Sequence, residues 1–214
     1  MSQTISIKAT IDTICPWCFI GKRRLDKAIQ KMKEINSNVS IQVQYLPFQL
    51  NPYQEGSVDK MESYNKKFGE DRVKSMIPMV TKVAEGEGIH LKYGGVISNT
   101  FDSHRLVWWS QQFGKQSEVV EEICKLYFER NEDVGDHESL ANAAERAGLS
   151  KEGTIEFIKS EQGVSEVKDM LRRNAFMDIH GVPHFTINDK YAVSGAQEAD
   201  TLVSVFQQVL SKEQ

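Results

Sequence analysis

The feature that most constrains this fold is a pair of cysteines, Cys15 and Cys18, set between a strand pattern and a helix pattern. Residues 5–11 alternate apolar and polar side chains, as a half-buried strand does, and apolar residues recur at helical intervals from Phe19 to Met32. The pair therefore lies where a strand ends and a helix begins. At the first turn of a helix, two cysteines at this spacing are close enough to form a disulfide.

The position of Cys15 predicts a redox-active thiol. A helix N-terminus offers unpaired N–H groups and the positive end of the helix dipole, and both favour a thiolate over a thiol. Pro16 suits the first helical position because its missing N–H costs nothing there. We therefore predict that Cys15 is the nucleophile and that Cys18, one turn further in, is the more shielded resolving thiol. The predicted chemistry is thiol–disulfide exchange through a mixed disulfide.

Two other interpretations of the cysteine pair stay open. A Cys-x-x-Cys pair can be half of a zinc site, and His180 and His184 have the spacing of zinc ligands. These histidines lie far from Cys18 along the chain, whereas the halves of a zinc finger are about 12 to 15 residues apart. The pair can also be chemically inert. The strand-to-helix context favours the redox interpretation, and we expect no bound metal.

Length and composition indicate an ordinary globular protein. The chain has 214 residues, which suffices for one sizeable domain or for a small domain with an insertion. Apolar residues make up 40% and charged residues 26%, and the formal net charge is −4. No basic patch typical of nucleic-acid binding follows from such values, so we expect neither DNA nor RNA as a partner.

The same sequence predicts a cytoplasmic protein. Residues 1–4 lead directly into the strand pattern, without the basic and apolar segments of a secretory signal. No apolar run approaches the roughly 20 residues that span a bilayer, so we expect no membrane association. Three cysteines do not make a secreted disulfide scaffold, and a Cys-x-x-Cys pair in a reducing compartment is typically catalytic or metal-binding.

The remaining patterns predict the element order of a thioredoxin-like fold. Residues 39–46 alternate again and, with the first strand and helix, predict a βαβ unit with parallel strands and a right-handed crossover. A long helical block follows, and the chain then returns to two short strands and a final helix. We therefore predict an α/β, thioredoxin-like fold with an inserted α-helical domain. The predicted segments are 1–57 (thioredoxin-like domain, first part), 58–177 (inserted helical domain) and 178–214 (thioredoxin-like domain, second part).

Several details are predicted within the helical block. Pro78 either kinks one helix or begins another, and residues 89–93 are expected to form a short extended piece. Asp136 and Ser150 are expected to cap helices. Cys124 lies on the apolar side of a helix, which favours a buried core residue over a third redox partner. Four aromatic residues either roof a hydrophobic substrate cleft or belong to the core: Phe101, Trp108, Trp109 and Phe113.

Four stretches of the sequence resemble a known family. Residues 12–21 contain the Cys-Pro-Trp-Cys motif, residues 99–106 contain Asn-Thr and His-Arg-Leu, and Gly-Val-Pro and Ser-Gly-Ala-Gln occur within residues 181–185 and 191–197. In this order the motifs resemble the DsbA-like thioredoxin superfamily, specifically its FrnE-like cytoplasmic branch. The resemblance covers nearly the whole chain.

The resemblance implies roles for individual residues. Pro183 would be the cis-proline that faces the active-site disulfide, with Cys15 and Cys18 as its catalytic partners. His180 and His184 are candidates for tuning the thiolate, and Ala196 is a candidate for lining the substrate groove. The residues expected to bind substrate are Pro16, Trp17, Asn51, Val182, His184, Ser194 and Gln197.

Three functions follow, in order of preference. The first is a thiol–disulfide oxidoreductase that acts on a protein or small-molecule thiol or disulfide, with no cofactor beyond its own dithiol and with glutathione as a candidate cosubstrate. The second is a glutathione-dependent transferase or isomerase of a small aromatic substrate, as in the kappa-class glutathione transferases and 2-hydroxychromene-2-carboxylate isomerases, which generally carry serine at the nucleophile position. The third is a non-catalytic binding module that holds a metal. A homodimer is compatible with the sequence.

Overall fold

A four-stranded sheet lies at the centre of the fold. The structure, a computed structural model, describes residues 3–212, the side chain of residue 175 excepted, so the expectation about a secretory signal falls partly on Met1 and Ser2, outside the described residues. The strands are β1 (Gln3–Ile11), β2 (Val39–Pro47), β3 (Val58–Asp59), β4 (Val96–Ile97), β5 (His184–Ile187) and β6 (Tyr191–Ser194). The helices are α1 (Pro16–Ile35), α2 (Lys60–Phe68), α3 (Glu70–Gly86), α4 (Phe101–Ser110), α5 (Gln116–Phe128), α6 (His137–Arg146), α7 (Lys151–Lys159), α8 (Val164–Phe176) and α9 (Ala199–Lys212).

The sheet has the strand order β2-β1-β5-β6. Strands β1 and β2 are parallel and are joined by α1, which confirms the predicted βαβ unit. Strand β5 runs antiparallel to β1 and forms a hairpin with β6, as predicted. Ala9 of β1 pairs with Tyr45 on one side and with Phe185 on the other. The ends of β1 and β5 therefore meet beside the turn that carries the cysteine pair.

The pattern of apolar residues explains how the helices cover the sheet. The alternating side chains of β1 that the pattern singled out are buried, and helix α9 packs against β1 and α1. Helices α4, α5 and α8 contact β2. Ile20, Leu25, Ala28 and Met32 of α1 are buried at helical spacing, which confirms the amphipathic face read from the sequence.

The segment between β2 and β5 is mainly helical, as predicted, and differs in one detail. Residues 89–93 form no strand; the extended piece is β4, which pairs with β3 over two residues, too short a ladder to show a period in the sequence. Of the two alternatives predicted for Pro78, the structure has the single helix, because Pro78 lies inside α3 and does not begin another helix. Its surroundings are exposed, so water can bind the carbonyl that lacks a donor. Asp136 and Ser150 cap α6 and α7, as predicted. The division into domains stays a prediction.

Lys60, the first residue of α2, is buried against Tyr127 of α5. Its side chain is only 1% exposed, its Nζ lies 3.8 Å from the centre of the Tyr127 ring, and it donates to the Tyr127 carbonyl at 3.3 Å. Burial lowers the pKa of the Lys60 amine to about 8. At neutral pH the folded protein therefore holds an ammonium in an apolar environment, which costs stability.

We expect Lys60→Met to raise the free energy of unfolding at pH 7 by about 2 kcal/mol. As the pH rises above about 8, the folded amine becomes neutral while the unfolded lysine stays charged, so the unfolded state binds more protons and the wild type gains stability relative to the variant. Urea unfolding at pH 7 and pH 10 measures this, with Lys66→Met, an exposed lysine of the same helix, as control. The prediction would be contradicted if the free energies of unfolding of Lys60→Met and the wild type differed by the same amount at pH 7 and at pH 10.

Candidate active site

Cys15 occupies the N-cap of α1, as the sequence predicts. Its backbone is extended, with φ −92° and ψ 115°, and Pro16 follows at the start of the helix. The Cys15 carbonyl accepts hydrogen bonds from the N–H groups of Cys18 at 3.0 Å and Phe19 at 3.3 Å. No side chain caps this end of the helix, so no other group competes with the Cys15 sulfur for the N–H groups of the first turn.

The two sulfurs of the pair differ in exposure. Both thiols are free, and Cys15 is 5% exposed whereas Cys18 is 1% exposed, in line with the prediction that Cys18 is the more shielded. Burial raises the pKa of the Cys18 thiol well above its ordinary value, and its hydrogen bond with Cys15 raises the pKa further. Cys18 is therefore protonated at neutral pH until its environment changes.

Pro183 lies next to the cysteine pair, although it is distant in sequence. The Cys15 Sγ donates to the Val182 carbonyl at 3.7 Å, and the Val182–Pro183 peptide bond is cis. The Pro183 carbonyl accepts from the Gly195 N–H at 2.9 Å, which ties this loop to the turn after β6. The structure thus brings Cys15, Cys18 and Pro183 into one site.

Gly21 permits the close approach of α1 to Pro183. A β-carbon at this position would lie 2.9 Å from the Pro183 Cγ and 3.4 Å from the Phe185 ring. We expect Gly21→Ala to displace Pro183 and to lower the disulfide-exchange rate by about tenfold, because small displacements at a reacting centre are costly. Stopped-flow oxidation of the cysteine pair measures this rate. Gly153→Ala, a helical position with room for the methyl group, is the matched control, and equal rates in the two variants would rule out a positioning role for this contact.

A buried carboxylate and a buried imidazole contact each other close to the cysteine pair, and no sequence pattern predicts this contact. The Asp12 Oδ1 lies 3.2 Å from the His104 Nε2, and its Oδ2 accepts from the Leu50 N–H at 2.7 Å. Both side chains are almost fully buried, and the Asp12 carbonyl accepts from the Cys15 N–H at 3.1 Å. The backbone of Asp12 lowers the pKa of Cys18, while its carboxylate charge raises it. The two residues occur in the family motifs, but their spacing of many residues does not predict that they touch.

An apolar cleft with a volume of about 380 Å³ opens beside Cys15. Helices α2, α3 and α5 and residues 91–93 form its walls, and Val182 also lines it. Burial raises the pKa of the Tyr64 phenol in this wall to about 12. The aromatic and aliphatic side chains lining the cleft include Tyr64, Phe68, Met76, Ile77, Leu91, Tyr93, Tyr127 and Phe128.

The predicted substrate-binding residues divide into two groups. Those that line the cleft beside Cys15 are Pro16, Trp17, Asn51 and Val182. Those that do not line it are His184, Ser194 and Gln197. The Ser194 Oγ lies 3.3 Å from the His184 Nδ1, and Gln197 donates to the Ser194 carbonyl at 2.8 Å. The second group therefore forms its own contacts around the hairpin.

The two histidines predicted to tune the thiolate, His180 and His184, do not line the cleft. His180 is exposed and pairs with Asp178 at 2.6 Å, and burial lowers the pKa of His184.

Trp109 stacks on Phe157 with ring centres 4.7 Å apart, as part of the packing between α4 and α7. None of the four aromatic residues proposed as a roof lines this cleft: Phe101, Trp108, Trp109 and Phe113.

Within residues 3–212, no group of three or more His, Cys, Asp or Glu side chains is arranged to hold a metal ion. Across the same residues, no helix combines the length and the apolar character needed to cross a membrane.

A thioredoxin-type sheet with a cysteine pair at the start of its first helix defines a class of redox folds, and the sequence profile of one such family matches. The profile of the DSBA-like thioredoxin domain matches residues 6–207, and the chain belongs to this family. It is also 24% identical over 216 residues to the uncharacterized protein YwbO of Bacillus subtilis (strain 168), covering 99% of this chain and 98% of that protein.

Solved structures share the fold. The probable DsbA oxidoreductase SCO1869 from Streptomyces coelicolor superposes with a TM-score of 0.87 at 24% identity, over 97% of this chain and 90% of that one. A 2-hydroxychromene-2-carboxylate isomerase gives 0.73 at 13% identity, over 97% of each chain. The cytosolic disulfide reductase DsbM from Pseudomonas aeruginosa, solved with GSH, gives 0.66 at 14% identity, over 96% and 99%.

Proposed function

We propose that this protein is a thiol–disulfide oxidoreductase that acts through Cys15 and Cys18. The observation that carries the proposal is the placement of Cys15 at an uncapped helix N-terminus, with Cys18 one turn deeper and the Pro183 loop against the Cys15 sulfur. A helix N-terminus favours the thiolate that attacks disulfides. The oxidoreductase fold of the family supports the same chemistry.

In the proposed reaction, the Cys15 thiolate attacks one sulfur of a substrate disulfide. A bond forms between Cys15 and that sulfur, and the other substrate half leaves as a thiolate. Cys18 then loses its proton and attacks the Cys15 sulfur, which releases the second half as a thiolate and leaves a Cys15–Cys18 disulfide. The substrate gains two electrons and the protein loses two. A thiol such as glutathione reduces the pair again, and the reverse sequence oxidises a substrate dithiol.

Asp12 and His104 have a supporting role in this proposal. They are the buried ionisable groups behind Cys18, and the Asp12 carbonyl holds the Cys15 N–H at the start of the helix. When the first step leaves Cys15 in a mixed disulfide, the Cys18 proton must leave a buried site. We propose that the Asp12–His104 pair accepts this proton, because the Asp12 carboxylate is close enough to Cys18 for its charge to raise the pKa of that thiol. The cytosol, with its glutathione, is the compartment in which we place this activity.

Redox equilibration followed by intact-mass measurement tests the proposal. The protein is incubated in buffers with different ratios of reduced to oxidised glutathione, quenched with acid and weighed. We expect a loss of two hydrogens, reversible with the ratio, and peptide mapping should place the disulfide between Cys15 and Cys18. A protein that keeps both hydrogens at every ratio would not be an oxidoreductase of this kind.

The second candidate function is a glutathione-dependent isomerase or transferase of a small aromatic substrate. The observation in its favour is the aromatic cleft beside Cys15, together with the likeness in fold to 2-hydroxychromene-2-carboxylate isomerase. Under this alternative, activity would survive Cys18→Ser and would require bound glutathione. Under the leading proposal, Cys18→Ser stops turnover at the mixed disulfide.

A further inference from the structure

The cleft beside Cys15 carries charge of one sign. The charged side chains lining it are Lys67 of α2 and Lys92 of the loop before β4, and both are exposed. Neither joins the ion pairs formed by other lysines in the part of the chain that the structure describes. The formal net charge of the whole chain is −4, so two unpaired ammonium groups at this cleft are a local reversal of sign.

Apolar, partly exposed side chains line the same cleft as these lysines and Cys15. Tyr64, Phe68 and Met76 are half-buried, so part of each side chain faces the open cleft. The Tyr64 phenol is close enough to Cys15 for the cysteine's charge to contribute to the raised pKa of the phenol. The reacting sulfur therefore opens directly onto an apolar wall.

The size and shape of the cleft favour a small molecule. Its volume of about 380 Å³ is in the range of roughly 300 to 1,000 Å³ found for small-molecule sites. Walls from three helices and a loop enclose it on several sides, as is usual for small-molecule sites.

We infer that the preferred substrate is a small disulfide with one apolar half, of about the size of one or two aromatic rings, that carries an anionic group. This inference rests on the proposed function. The apolar half lies against Tyr64, Phe68 and Met76, and the anion is attracted by Lys67 and Lys92. Removing apolar surface from water supplies affinity, and the two ammonium groups supply selectivity by charge.

The reaction is the reduction already described, with the apolar half next to the sulfur. The Cys15 thiolate bonds to the sulfur of the apolar half, and the other half leaves as a thiolate. Attack by Cys18 then releases the apolar thiolate and forms the Cys15–Cys18 disulfide. One disulfide is consumed and one is formed, so the reduced protein completes a single turnover with no further reactant.

Four small disulfides test separately whether the protein prefers an aromatic substrate and whether it prefers an anionic one. 5,5′-Dithiobis(2-nitrobenzoate) is aromatic and anionic, 4,4′-dithiodipyridine is aromatic and neutral, oxidised glutathione is polar and anionic, and 2-hydroxyethyl disulfide is polar and neutral. The reduced full-length protein is mixed with each, quenched with acid and weighed, and each rate is divided by that of dithiothreitol with the same disulfide. We expect the normalised rate to be highest for the aromatic anion, by at least about tenfold over the polar neutral probe.

Matched variants test the two lysines. Lys67→Glu should lower the normalised rates of both anionic probes by about five- to tenfold and leave the neutral probes within about twofold. Lys66→Glu makes the same change at the neighbouring exposed position, outside the cleft lining, and should leave all four rates nearly unchanged. Lys92→Glu is a second, independent reversal of charge at the cleft.

Matched variants also test the apolar wall. Met76→Gln should lower the rates of both aromatic probes by about fivefold, while Met79→Gln, at an exposed position of the same helix, should not. Equal normalised rates for all four probes, or equal effects of Lys67→Glu and Lys66→Glu, would overturn the inference and leave the proposed function intact. Failure of all four probes to oxidise the cysteine pair would overturn the proposed function and, with it, this inference.

Discussion

Cys15→Ser is expected to lower the rate of disulfide exchange by at least about a thousandfold, because removing a nucleophile removes the first covalent step. Cys18→Ser is expected to keep that first step and to stop at a mixed disulfide, since no second thiol releases Cys15. The two variants therefore fail differently. Mass spectrometry after mixing with a small disulfide distinguishes them: Cys15→Ser gains no adduct, and Cys18→Ser gains the mass of one substrate half.

Cys124→Ser is the matched control for both variants. Cys124 is fully buried on α5, outside the cleft, and burial raises the pKa of its thiol above the ordinary value. We expect its replacement to leave the exchange rate within about twofold of the wild type, because a buried, protonated thiol does not react. Wild-type rates in Cys15→Ser, or an adduct on Cys124, would contradict the assignment of Cys15 as nucleophile.

The second large effect is expected at Asp12. Asp12→Ala should lower the free energy of unfolding by about 3–5 kcal/mol, because it leaves His104 and the Leu50 N–H without their buried partner. Asp12→Asn keeps the shape and an acceptor for Leu50, and should cost about half as much. Urea unfolding of the reduced proteins measures both. Equal stability of Asp12→Ala and the wild type would show that these contacts do not hold the site together.

Asp12→Asn also separates a role in catalysis from a role in stability. If the Asp12–His104 pair accepts the Cys18 proton, the variant should form the mixed disulfide at the normal rate but resolve it about tenfold more slowly near neutral pH. Because Cys18 has a raised pKa, the deficit should shrink as the pH rises and hydroxide replaces the missing acceptor. A deficit that is constant with pH would indicate a purely structural role.

Local sequence patterns predicted the elements of this fold well. Each of these patterns depends only on residues that are close together along the chain, so each element can be predicted from its own stretch of sequence. Examples are the alternation in residues 5–11, the helical spacing after Phe19 and the caps at Asp136 and Ser150. The position of Cys15 at a helix N-terminus follows from the same local signals. The two-residue ladder of β3 and β4 escaped prediction because it is too short to show a period.

The contents of the site were harder to predict, because side chains from distant segments form it. Asp12 and His104 come from β1's end and from α4, and only the packing of α4 against the sheet brings them together. The apolar wall of the cleft comes from α2, α3 and α5, whereas Trp109 of α4 stacks on Phe157 of α7.

By itself, the sequence determined the class of fold, the strand-to-helix turn that holds the two cysteines and the family of the chain, because these depend on periodicity and on motifs read over short distances. Only the tertiary structure decided which side chains surround the Cys15 sulfur. It placed Asp12, His104 and the cleft lined by Lys67 and Lys92 there, and it placed His184, Ser194 and Gln197 outside that cleft. The physical reason is that helix packing and strand register, which set these contacts, depend on the whole core and not on any local stretch of residues.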